Sequence, residues 1–174
     1  RFKSANSEEG KHGSGYTPLF FAALSGNLLV ARALLEHHKA DPDVRMKQFD
    51  VTLGWDKGCT PLHVVSIACP HNQTDEMVAL LLRNGADPNR PSTGGFTPVH
   101  ACVWWHSLPA FQAFRKHAKD TLRLDHGSKL NNASALGCAA YASTPEIVEA
   151  LLDAGANVAH INDVRLPSPL TSRQ

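Results

Sequence analysis

The sequence predicts an all-α solenoid in which four helix-turn-helix repeats stack side by side, joined by extended loops. Three observations carry that prediction. A tetrapeptide recurs as Thr17-Pro18-Leu19-Phe20, Thr60-Pro61-Leu62-His63 and Thr97-Pro98-Val99-His100, with a weaker copy at Ser134-Ala135-Leu136-Gly137. The copies start 43, 37 and 37 residues apart. A second block follows in fixed order: Leu34-Leu35 with Ala40-Asp41-Pro42-Asp43, Leu81-Leu82 with Gly85-Ala86-Asp87-Pro88-Asn89, and Leu151-Leu152 with Gly155-Ala156-Asn157. Finally, each start carries the chemistry of a helix N-terminus. A Thr hydroxyl can cap the first turn, and Pro suits the next position, where no N–H is needed.

Taken in order, repeat one (16–58) opens at Thr17, points Leu19 inward, and ends in a long loop over 44–58. There Phe49, Val51, Leu53 and Trp55 alternate with Asp50, Thr52 and Gly54, the period of a half-buried strand. A projecting β-hairpin and a loop folded back on the repeats fit this pattern equally. Repeat two covers 59–95. Repeat three (96–132) matches poorly in its second half, from Ala118 onward. Repeat four (133–166) predicts one helix over Ser134 to Ala142 and a second restarted by Thr144-Pro145-Glu146. Ile147, Val148, Leu151 and Leu152 give the second an apolar face, and Gly155 closes it. Ser168-Pro169-Leu170-Thr171 resembles the opening of a truncated fifth repeat from 167. We expect residues 1–174 to form a single domain, and the non-Met start at Arg1 to mark a piece of a longer protein.

These two blocks resemble the ankyrin repeat, which has a period of about 33 residues and a Thr-Pro-Leu-His start. The resemblance runs over roughly residues 15 to 162. It implies helical hairpins joined by loops termed fingers, and a concave face on which a protein or peptide binds. Against that period, about nine of the ten extra residues of repeat one fall between Asp43 and Thr60. The four extras of repeat two are expected between its helices, around Cys69-Pro70-His71-Asn72-Gln73. Phe20 and Gly137 stand where the family carries histidine, a side chain that hydrogen-bonds between repeats, as His63 is expected to do. The end repeats are expected to carry a polar outer face. The resemblance also implies that the loop position of Asn89 is a candidate for asparagine hydroxylation.

Composition narrows the function. Hydrophobic residues make up 43% of the chain, enough for a core. The 17 Lys and Arg nearly balance the 16 Asp and Glu, for a net charge of +1. That balance argues against nucleic-acid binding, which needs surplus cations. No apolar run approaches the roughly 18 residues of a membrane span. Four scattered cysteines fit a reducing, intracellular setting; the cytoplasm is the expected compartment, with the nucleus left open. Nothing drives closed symmetry, so a monomer is expected.

The register implied by the resemblance selects the binding face: the residue before each Thr, and the seventh and eighth after it. These include Tyr16, Leu24, Ile67, Phe96, Trp104, Trp105 and Tyr141, with Trp55 of the first finger placed beside them. Such an apolar stripe suggests an interaction surface, and Tyr and Trp are enriched among binding hot spots. Consecutive helical residues point about 100° apart, so one of Trp104 and Trp105 is expected in the core.

Chemistry is a weaker reading. His100, Cys102 and His106 have a spacing zinc can use, but His100 belongs to the repeat tetrapeptide. Cys59 and His63 could pair by spacing alone. No nucleophile elbow or phosphate-binding loop is present. The expectation is no catalytic residue, no metal and no cofactor: a module that binds a protein or peptide. The alternative is a structural or regulatory docking domain of a larger enzyme, channel or receptor.

Overall fold

The computed structural model describes residues 16–48, 56–129, 132–142 and 144–161. Among them the chain forms eight α-helices and no strand. They come in pairs: α1 (Pro18–Ser25) with α2 (Leu28–Arg32), α3 (Pro61–Ala68) with α4 (His71–Arg83), α5 (Pro98–Trp104) with α6 (Leu108–His117), and α7 (Ala135–Tyr141) with α8 (Pro145–Asp153). The first helices stack in sequence, α1 on α3 on α5 on α7; the second helices form a parallel row, α2, α4, α6, α8. Short amphipathic helices cannot bury an apolar face alone, so each pair leans on its neighbours. Leu19, Leu62 and Val99, the third residues of the tetrapeptides, are all buried, as are Phe111 and Phe114. Each contributes roughly 1.5–3 kcal/mol by leaving water.

Two insertions are absorbed inside helices. From Leu34 to Ala40 is one residue longer than from Leu81 to Ala86 or from Leu151 to Ala156. A π-helical turn over Ala33–His37 takes up the surplus, with the His38 N–H donating to Ala33 C=O at 3.2 Å. Leu35 thereby reaches the buried place held by Leu81 and Leu151. This locates the tenth extra residue of repeat one. The four extras of repeat two do not form a loop, as the sequence had suggested. Cys69 and Pro70 alone make the link, and α4 has 13 residues where α8 has 9. The extra residues extend α4 by one turn, begun when the N–H groups of Gln73 and Thr74 bond Pro70 C=O.

Histidines stitch the pairs together. His63 Nδ1 accepts the Thr60 N–H at 3.0 Å and lies 3.0 Å from the Thr60 hydroxyl. Its Nε2 lies 2.9 Å from Phe96 C=O, in the next repeat. A carbonyl only accepts, so Nε2 carries the proton and Nδ1 is the acceptor. His100 repeats the arrangement, with Nδ1 on Thr97 and Nε2 donating to Ala133 C=O at 3.0 Å. Burial pushes both imidazoles down to about 4, so they are neutral near pH 7. In repeat one Phe20 fills this place as a buried side chain. The expected Thr17 cap does not form: its hydroxyl is buried without a hydrogen-bond partner among the described residues. The ring beside it has no nitrogen to meet it.

The loops are stitched as well. Asp41, Asp87 and Asn157, equivalent members of the second block, each accept an N–H from two residues on at 2.9 Å. Between loops, Asp43 accepts the Asp87 N–H at 3.1 Å and Asp125 accepts the Asn157 N–H at 2.8 Å. Asn89 clamps the next loop through Thr121 C=O and the Arg123 N–H, each at 2.7 Å. At the base of the first finger the Met46 N–H donates to Cys59 C=O at 2.9 Å, and Met46 C=O accepts the Gly58 N–H at 2.8 Å. The proposed hairpin over Phe49 to Trp55 and the fifth repeat from 167 lie outside the described residues.

Candidate functional site

The amino-terminal half of the selected stripe is packed. Tyr16 is half-buried, its ring 6.2 Å from Phe20 and 5.6 Å from Phe21. Leu24 and Ile67 are half-buried against the core. Phe96 lies edge-on to His100 at 5.7 Å, while its carbonyl holds His63. These residues support the fold as much as they offer a surface. Trp55 lies outside the described residues.

The carboxyl-terminal half is exposed. Trp104 keeps 56%, Trp105 44% and Tyr141 84% of its surface open. The expectation that one tryptophan enters the core is therefore wrong, and the reason is where the helix stops. Trp104 is the last residue of α5; Trp105 caps it at φ −105, ψ 13. His106 then turns left-handed at φ 53. The separation of about 100° per helical residue does not carry past that end. Trp104 and Tyr141 occupy the same register on α5 and α7, which pack together.

The outer face of repeat one departs from the polar cap expected of an end repeat. Phe21 is 57% exposed and Val30 is also open, beside Tyr16 and Pro18. The equivalent Val64 and Ala101 are buried beneath the preceding repeat; no such repeat lies before α1 among the described residues. Register comparison of Phe21 with Val64 would have revealed this surface in the sequence.

Geometry also assigns the residues weighed for chemistry. Both nitrogens of His100 are committed to Thr97 and Ala133. Cys102 is fully buried, with burial pushing its thiol up to about 12, whereas His106 is exposed. These three do not converge as ligands, and no group of three His, Cys, Asp or Glu among the described residues could hold a metal ion. Cys59 is likewise buried and pushed up to about 12, while His63 faces Thr60 and Phe96. Neither serves as the other's partner.

A stack of helical hairpins joined by side-bonded fingers defines a helical repeat protein. The family models agree: "Ankyrin repeats (3 copies)" matches residues 65–163 and "Ankyrin repeat" matches 14–47. The chain belongs to the ankyrin-repeat family, whose members are generally protein–protein interaction modules and typically not enzymes. Comparison with curated proteins gives no match. No helix among the described residues is long and apolar enough to cross a membrane.

Proposed function

We propose that residues 1–174 act as one four-repeat domain that holds a protein or peptide partner against Trp104, Trp105 and Tyr141. Tyr16, Leu24, Ile67 and Phe96 continue this surface as a half-buried floor, and Trp55 of the first finger contributes to binding. The partner is a cytoplasmic or nuclear protein, and the domain works as a monomer without cofactor or metal. The observation that carries this reading is the exposure of three large aromatics on consecutive inner helices. Folding does not bury them, and aromatic anchors of this kind lose 2 kcal/mol or more of binding when truncated, roughly thirtyfold in affinity. The test is affinity capture with the parent and with Trp104→Ala/Tyr141→Ala. A partner retained by the parent and lost from the folded variant supports the site; equal capture by both removes it.

A second reading, docking against another part of a larger polypeptide, is favoured by the open apolar end formed by Phe21 and Val30. Phe21→Asp would then disturb assembly of the larger protein and leave capture through Trp104 unchanged.

A further inference from the structure

The junction between α6 and α8 is built unlike that between α4 and α6. α6 lies along α4 over much of its length but meets α8 only briefly. The cause is the segment after α6, which lacks the Leu-Leu and Gly-Ala-Asp block. Ala118 ends the helix at φ −125, and the chain turns irregularly, Thr121 and Leu122 bonding back to Ala118 C=O. This leaves a cleft of about 470 Å³ whose lining includes Arg115, Lys116, Lys119, Leu122, Leu124 and Asp153. A second hollow of about 500 Å³ shares Leu122 and Leu124 and continues past Arg123 and His126.

Its cations outnumber its carboxylates. Arg115 is half-buried and spans to α8, donating to Ala150 C=O at 3.4 Å, its only hydrogen bond among the described residues. Lys116 is held by Asp75 at 2.9 Å. Lys119 is exposed and makes no hydrogen bond or ion pair among the described residues. Asp153 is the lone carboxylate in the lining of the first cleft. Cations in the last turn of α6 complement the helix dipole, which accounts for Arg115 and Lys116. It does not account for Lys119, past the helix end, or for two half-buried leucines lining an open cleft.

We propose that this cleft binds an acidic peptide segment of a partner protein. Its carboxylates would meet Arg115 and Lys119, and a neighbouring aliphatic side chain would rest on Leu122 and Leu124. A guanidinium presents a planar fork of donors that matches a carboxylate, and a leucine-lined hollow offers nothing to a bare phosphate. Nucleic acid fits less well, because the cation track is short and Asp153 and Asp125 flank it. The cleft shares no lining residue with the aromatic surface, so the two proposals fail independently.

The experiment is fluorescence anisotropy with a labelled peptide of alternating Glu, Asp and Leu, against a Lys-Leu peptide of equal length. The acidic peptide is expected to bind saturably, more weakly as salt rises, and about tenfold more weakly to Lys119→Glu. Trp104→Ala should leave it unchanged. Lys119 is exposed, so its reversal tests the cleft even if Arg115→Glu fails to fold. Equal binding of the basic peptide, no effect of Lys119→Glu, or displacement by an equimolar thymidine oligonucleotide would overturn the proposal.

Discussion

Repeats one and two open with the same three residues, Thr-Pro-Leu, and differ in the fourth. In repeat two His63 ties its own Thr60 to Phe96 of the following repeat. In repeat one Phe20 occupies the same place, fills it, and leaves the Thr17 hydroxyl buried without a bond among the described residues. Both solutions bury the site, but only the histidine satisfies it. A buried polar group costs little when paired and about 1–3 kcal/mol when orphaned. At this fourth position the middle of the stack is therefore held by polar bonds between repeats, and its first repeat by apolar packing.

Acid should separate the two regions most. The folded-state values of His63 and His100 lie at about 4, below the unfolded value of roughly 6.5. Between those values the unfolded chain binds more protons. The stabilisation is complete above about pH 6.5 and lost as pH falls toward 4, on the order of 3 kcal/mol for each histidine. Urea unfolding across this range should show it, and nitrogen NMR should report a neutral ring protonated at Nε2. A flat profile would mean that the rings are accessible or already charged.

Next in size is His63→Ala, which orphans the Thr60 N–H and Phe96 C=O and leaves a cavity; a loss of about 2–4 kcal/mol is expected. The same comparison sharpens with threonine. Thr60→Val should cost about 1–3 kcal/mol in denaturant unfolding, whereas Thr17→Val should be neutral or slightly stabilising. Equal losses would show that Thr17 has a partner after all. The smallest effect belongs to Gly137, whose N–H donates to Ser134 Oγ at 3.2 Å in the first turn of α7. Gly137→Ala should raise stability by up to about 1 kcal/mol.

What the sequence made legible was local. The Thr-Pro starts fixed four of the eight helix beginnings to a residue or so, because capping and a missing N–H act within one turn. The interrepeat role of His63 was legible through the family resemblance. Insertions were not. Whether four extra residues form a loop or a turn of helix depends on Pro70 C=O finding Gln73 and Thr74, and nothing in Cys69 to Gln73 forbids either. The expectation that one of Trp104 and Trp105 is buried failed for a related reason: His106 in a left-handed conformation ends α5 early, and no glycine marks the spot. The cleft beside Arg115 needs α6 and α8 to part, which the poor repeat match after Ala118 permits but does not by itself specify.

The account holds that histidines bond the repeats together while the inner aromatics of α5 and α7 are left for a partner. Urea unfolding of Trp104→Ala/Tyr141→Ala at neutral pH tests this most directly. The account predicts a free energy within about 1 kcal/mol of the parent, since both side chains are largely solvated. A loss of about 3 kcal/mol or more, equal to that of His63→Ala, would place these rings in the core and contradict it.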